Sequence, residues 1–110
     1  MRRCFLIVAP KDNQDISPLR EIGRVVILYS KDNIPPSFYD PEFPTIFLKR
    51  MEEEKFNTKN DFLVGVGSSM QQVVASNALT SEYGEIQFLT YDPRIANYKR
   101  LLLGVPFNEC

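Results

Sequence analysis

Asp61-Phe62-Leu63-Val64-Gly65-Val66-Gly67, followed by Ser68-Ser69 and, after Gly84, by Glu85-Ile86-Gln87-Phe88-Leu89-Thr90-Tyr91, is the stretch that decides the fold. The first run is short and apolar, as a buried strand requires, and it stops at a glycine with two serines placed to cap a helix. Gly84 ends that helix, and a run rich in β-forming residues follows. Two strands joined through a helix form most economically a right-handed parallel crossover.

Working outward, Cys4-Phe5-Leu6-Ile7-Val8-Ala9 reads as a central strand covered on both faces, and Arg24-Val25-Val26-Ile27-Leu28-Tyr29 as a second strand. Residues 10–18 form a loop, and Ser17-Pro18-Leu19-Arg20-Glu21 has room for one helical turn before Gly23. From Ser30 to Pro44 the chain carries four prolines, an irregular loop whose aromatic residues suggest that it packs down. A helix is expected from Pro44-Thr45, with Ile46, Phe47, Leu48, Met51 and Phe56 on its apolar side and the charges from Lys49 to Lys55 outward. In the helix after Ser69, Met70, Val73, Val74, Ala78 and Leu79 recur at spacings of three and four and are expected to pack on the sheet. Beyond Tyr91-Asp92-Pro93-Arg94, Tyr98 to Leu103 returns as an antiparallel edge strand. The expectation is an α/β fold in one domain spanning 1–110, a mixed sheet of about five strands with two main helices and a C-terminal β-hairpin, and residues 104–110 as a loose tail.

Composition bounds the chemistry. At 110 residues and 44% hydrophobic content the chain suits one core. Thirteen basic residues against fourteen acidic ones, with no basic run longer than two, disfavour a nucleic-acid surface. Histidine is absent, so a Ser-His-Asp triad or a histidine metal site is excluded. Cys4 and Cys110 carry no spacing pattern and read as free thiols in a reducing cytoplasm, the alternative being a disulfide that joins the two ends of the chain. No leader core and no apolar run of membrane-spanning length is visible.

Three places can hold a site. The Gly67-Ser68-Ser69 turn can offer unpaired backbone N–H groups and a helix dipole to an anion, although the third glycine of a dinucleotide fingerprint and the lysine of a phosphate loop are missing. Asp92 and Arg94 lie just past a strand's carboxyl end, where open α/β sheets place ligands, in a sequence that is equally an ordinary turn. Phe38, Tyr39 and Phe43 in the proline-rich loop suit interface anchors, or local core. Asp12, Asp15, Asp32 and Asp40 are loop aspartates whose spacing forms no metal motif. No catalytic residue, cofactor or metal is expected.

The order of these signals resembles a family of small tailed-bacteriophage proteins of unknown function. The resemblance rests on Ser17-Pro18 and Gly23 before the Val25 to Leu28 strand, Pro44-Thr45 with Leu48-Lys49-Arg50, Asp61-Phe62-Leu63, Gly67, Gly84 before Ile86, and Tyr91-Asp92 with Tyr98. In that family an acidic residue and a proline usually follow the strand glycine, where Ser68-Ser69 stand here, and a tryptophan occupies the place of Tyr91. The resemblance implies a phage origin and action in the cytoplasm of an infected host. With the residues above, it leads to the expectation of a non-catalytic accessory protein that binds a host or phage protein, itself able to form a homodimer. The alternative is a small nucleotide- or phosphate-ligand binder using Gly67, Ser68, Ser69, Asp92 and Arg94.

Overall fold

The alternation along the first strand sets the architecture. In a computed structural model that describes residues 1–10, 15–30 and 37–105, β1 (Arg3–Val8) is buried on both faces. Phe5 and Ile7 enter one apolar cluster, whereas Cys4 and Leu6 enter another. Such a strand belongs at the middle of a sheet with material above and below it.

The remaining elements are α1 (Leu19–Ile22), β2 (Arg24–Tyr29), α2 (Phe43–Glu53), β3 (Asp61–Val64), α3 (Ser69–Tyr83), β4 (Ile86–Asp92) and β5 (Asn97–Leu103). The sheet has the order β2-β1-β3-β4-β5, parallel except for the antiparallel β4–β5 pair. This is the mixed five-stranded α/β sheet with a C-terminal hairpin that the sequence led us to expect. A Cα radius of gyration of 13.8 Å is close to the roughly 13 Å of a folded 100-residue chain, so the elements form one body.

The two faces are covered unequally. Phe43, Phe47 and Met51 of α2, at four-residue spacing, and Ala75, Ala78 and Leu79 of α3 join Phe5, Ile7, Leu63 and Ile86 in the larger cluster. On the other face, the single turn of α1 supplies Leu19 above Cys4, Leu6, Phe62, Val64 and Leu89.

Three sequence expectations need correction. Phe43 opens α2 and is completely buried, its ring stacked on that of Phe47 at 5.7 Å, so it is core and not an exposed loop anchor. Phe56 lies beyond α2: Phe56 N donates to Met51 O and Lys55 N to Glu52 O, with Lys55 left-handed at φ +56°. That paired pattern is a Schellman ending, here made without glycine, and it turns Phe56 back onto Phe5 and Tyr83. In α3, Met70 and Val73 are exposed at 51% and 60%, while Gln71 and Gln72 are buried. The inward stripe therefore runs through Gln72, Ala75 and Leu79, because small alanines let the helix approach the sheet where larger residues would hold it off. Residues 106–110 of the expected tail, Cys110 among them, lie outside the described residues, and Val105 is exposed.

Candidate functional site

The carboxyl ends of β1 and β3 are neighbours, and the chain leaves them toward opposite faces: β1 feeds α1 on one side, and β3 feeds α3 on the other. Such a reversal opens a crevice at the strand ends, where doubly wound sheets receive ligands. The Gly67 turn lies on its wall. Gly65 N still donates to Leu89 O at 2.8 Å, extending the sheet, and Val66 N then folds back to Val64 O at 3.1 Å. Gly67 has φ +97°, and a Cβ there would stand 3.3 Å from Val8 Cγ2, so both conformation and the approach of β1 favour glycine.

Ser68 is the N-cap of α3. Its extended backbone and the 3.5 Å approach of Gln71 N to its Oγ make a long cap bond, and Gln72 N donates to its carbonyl at 3.1 Å. The N–H groups of Ser69 and Met70 have no hydrogen-bond partner among the described residues, and residues 67–70 are exposed. The cup thus combines two open donors with the positive end of a fifteen-residue helix.

Behind the cup lies a feature that sequence reasoning missed. Gln72 is 8% exposed; its Nε2 donates to the Val66 carbonyl, and its Oε1 is buried without a partner among the described residues. The same Nε2 lies 3.9 Å from the place a Gly67 Cβ would occupy. A buried acceptor lacking a donor costs about 1–3 kcal/mol, which makes it a group to be accounted for. The stripe through Ala75, Ala78 and Leu79 was the available signal, since continuing it one turn backwards reaches Gln71 and Gln72.

Asp92 and Arg94 do not join the cup. Asp92 Oδ1 accepts from Arg94 N at 3.0 Å and Nε at 3.1 Å, Oδ2 accepts from Arg94 Nη2 at 3.0 Å, and Lys99 Nζ stands 3.3 Å from Oδ2. The Arg94 hydrogen bonds, with Lys99 behind them, lower the Asp92 pKa to about 2. Ile95 N donates to Asp92 O at 3.2 Å, so Asp92-Pro93-Arg94-Ile95 is a β-turn within the β4–β5 hairpin. This carboxylate locks a turn, and among the described residues no hydrogen bond or ion pair links it to Gly67, Ser68 or Ser69.

Of the proposed aromatic anchors, Tyr39 is 78% exposed with its ring 4.4 Å from that of Phe38, which packs partly against the larger cluster. Asp15 and Asp40 are turn residues: their Oδ1 atoms accept from Ser17 N and Glu42 N, both at 2.9 Å. Asp12 and Asp32 lie outside the described residues, among which no group of three or more metal-binding acidic or thiol side chains assembles. No helix among the described residues is long and apolar enough to cross a membrane.

Comparison with protein-family models, with curated proteins and with solved structures finds no match for this chain.

Proposed function

We propose that this protein acts by binding, and that the crevice between β1 and β3 receives the anionic group of a small ligand, a phosphate or a carboxylate. The observation that carries the reading is the open amide pair of Ser69 and Met70 at the head of α3, set where the chain leaves β1 and β3 toward opposite faces. Gly67 and Ser68 shape the cup; Asp92 and Arg94 are bonded to each other and make no hydrogen bond or ion pair to it among the described residues.

Substitution at Gly67 is a poor test, because its positive φ strains any side chain. Ser69 is a better one. It is the first helical residue, and Ser68 at φ -65° and ψ 132° already has the conformation that a following proline demands. Ser69→Pro removes one donor and leaves the helix intact, whereas Ser69→Glu favours the helix dipole yet repels an anion. Titration of inorganic phosphate and of a nucleoside monophosphate, followed by amide NMR, should perturb residues 67–70; Ser69→Pro should weaken binding about tenfold, and Ser69→Glu more. Unchanged affinity in a folded Ser69→Glu protein sinks the proposal.

A second reading keeps the expected partner protein, host or phage, in the cytoplasm of the infected cell. Its support is the exposed Tyr39 ring resting on a half-anchored Phe38, an aromatic held at low entropic cost. Tyr39→Ala should release that partner from a pull-down while the fold survives.

A further inference from the structure

At the opposite rim of the sheet, a hollow of about 480 Å³ opens between the loop before β3, the end of α3 and the β4–β5 hairpin. That volume lies within the range of roughly 300–1,000 Å³ typical of small-ligand sites. Gln87 organises its floor. The Gln87 Nε2 donates to the carbonyls of Lys59 at 3.1 Å and Thr58 at 3.4 Å, which fixes the amide, and its Oε1 then accepts from Arg100 Nη1 at 3.0 Å. The Arg100 guanidinium is thereby oriented by an uncharged residue, leaving its charge and its remaining donors free of any acidic partner among the described residues. Lys59, on the same wall, likewise has no acidic partner among them.

Two cations around one hollow suit a doubly charged group better than a singly charged one. An arginine fork held in place matches the paired oxygens of a phosphate, and lysine adds a mobile charge beside it. Glu85 lines the same hollow and is an acceptor for hydroxyl or amino donors, while Leu102, 46% exposed two residues beyond Arg100 on the same strand face, offers apolar contact. We infer that this groove is a second binding site, independent of the Gly67 cup, for a small phosphomonoester whose body carries hydroxyl or amino groups, in the manner of a sugar phosphate or a nucleotide. Arg100 and Lys59 take the phosphate, Gln87 positions Arg100, and Glu85 reads the body.

The test is a titration of the full chain with inorganic phosphate, a pentose phosphate and uncharged ribose, monitored at the backbone amides of Gln87, Arg100 and Leu102 and by calorimetry. The pentose phosphate should bind more tightly than phosphate alone, and ribose should not bind measurably. Arg100→Gln should weaken binding about ten- to a hundredfold, as expected for loss of a charge-assisted contact. Gln87→Leu should weaken it less, through loss of orientation, and Ser69→Glu should leave it unchanged, which separates this site from the crevice. Absence of perturbation at these amides under saturating phosphate ester, or affinity indifferent to Arg100→Gln, overturns the inference. Equal binding of phosphate and pentose phosphate overturns the part assigned to Glu85.

Discussion

Arg3 and Asp61 face each other in register across β1 and β3 and are joined by two hydrogen bonds, Nε to Oδ1 at 3.2 Å and Nη2 to Oδ2 at 2.8 Å. Asp61 is 1% exposed and accepts a further bond from Asn57 N at 2.7 Å, while Arg3 also donates to the carbonyls of Glu54 and Lys55 at the end of α2. One ion pair therefore ties the central strands to the helix that covers them.

Removing the acid leaves a partly buried guanidinium, still bonded to the Glu54 and Lys55 carbonyls, without its counter-charge, and the Asn57 amide without its acceptor. Asp61→Ala should cost about 3 kcal/mol, the lower end for a broken buried pair, because Arg3 keeps a fifth of its side chain in water. Urea denaturation measures it; a loss under about 1 kcal/mol would show that water replaces the pair without penalty.

Lys55 ends α2 in the left-handed region with a side chain that this conformation disfavours. Lys55→Gly should stabilise the protein by about 1 kcal/mol, since the Schellman bonds use only backbone atoms and glycine reaches that conformation without strain. A melting temperature that falls would mean that the Lys55 side chain contributes more than its backbone costs.

Asp92 makes the hairpin sensitive to acid. Its pKa is lowered to about 2, first by the Arg94 side chain, against about 3.9 in an unfolded chain. A depressed carboxylate contributes stability above the unfolded value, and that contribution is lost as pH falls from about 4 toward 2. Denaturation curves across that window should show a slope that is smaller in Asp92→Asn, the lowered Asp15 carboxyl contributing to what is left; an unchanged slope would assign acid sensitivity to other carboxylates.

The fold was legible because its signals agree locally. Apolar runs at Cys4, Val25 and Phe62 are each bounded on one side by a proline, a glycine or a cap, and the Asp92-Pro93 turn announced the hairpin. What failed did so for tertiary reasons. Lys55 stands where a glycine would have marked the end of α2, so Phe56 read as part of the helix. In α3 the large apolar residues Met70 and Val73 face solvent, and before Leu79 the inward face is made of alanines and glutamines whose role depends on the nearness of β3. The cup at Ser69 was visible from its glycine and serines, whereas the Arg100 groove was not: Lys59, Gln87 and Arg100 are brought together only by folding.

Cys4 shows the same dependence on packing. It is a free thiol, completely buried, with Sγ 3.8 Å from Leu19 O, and its pKa is pushed up to about 11, first by burial and then by the Asp61 carboxylate. A raised thiol pKa means that the fold holds the proton more tightly than the unfolded chain. The associated stability is complete below about pH 8.5 and is lost as pH rises toward about 11. At pH 8 the thiolate fraction in the native protein is lower by roughly two orders of magnitude than in an unfolded chain, before any steric protection. In a Cys110→Ser protein, which leaves Cys4 as the single thiol, a disulfide reagent should react at least about a hundredfold more slowly with native than with urea-unfolded protein. Labelling at comparable rates would require Cys4 to reach solvent through opening of α1, the one turn of helix that covers it.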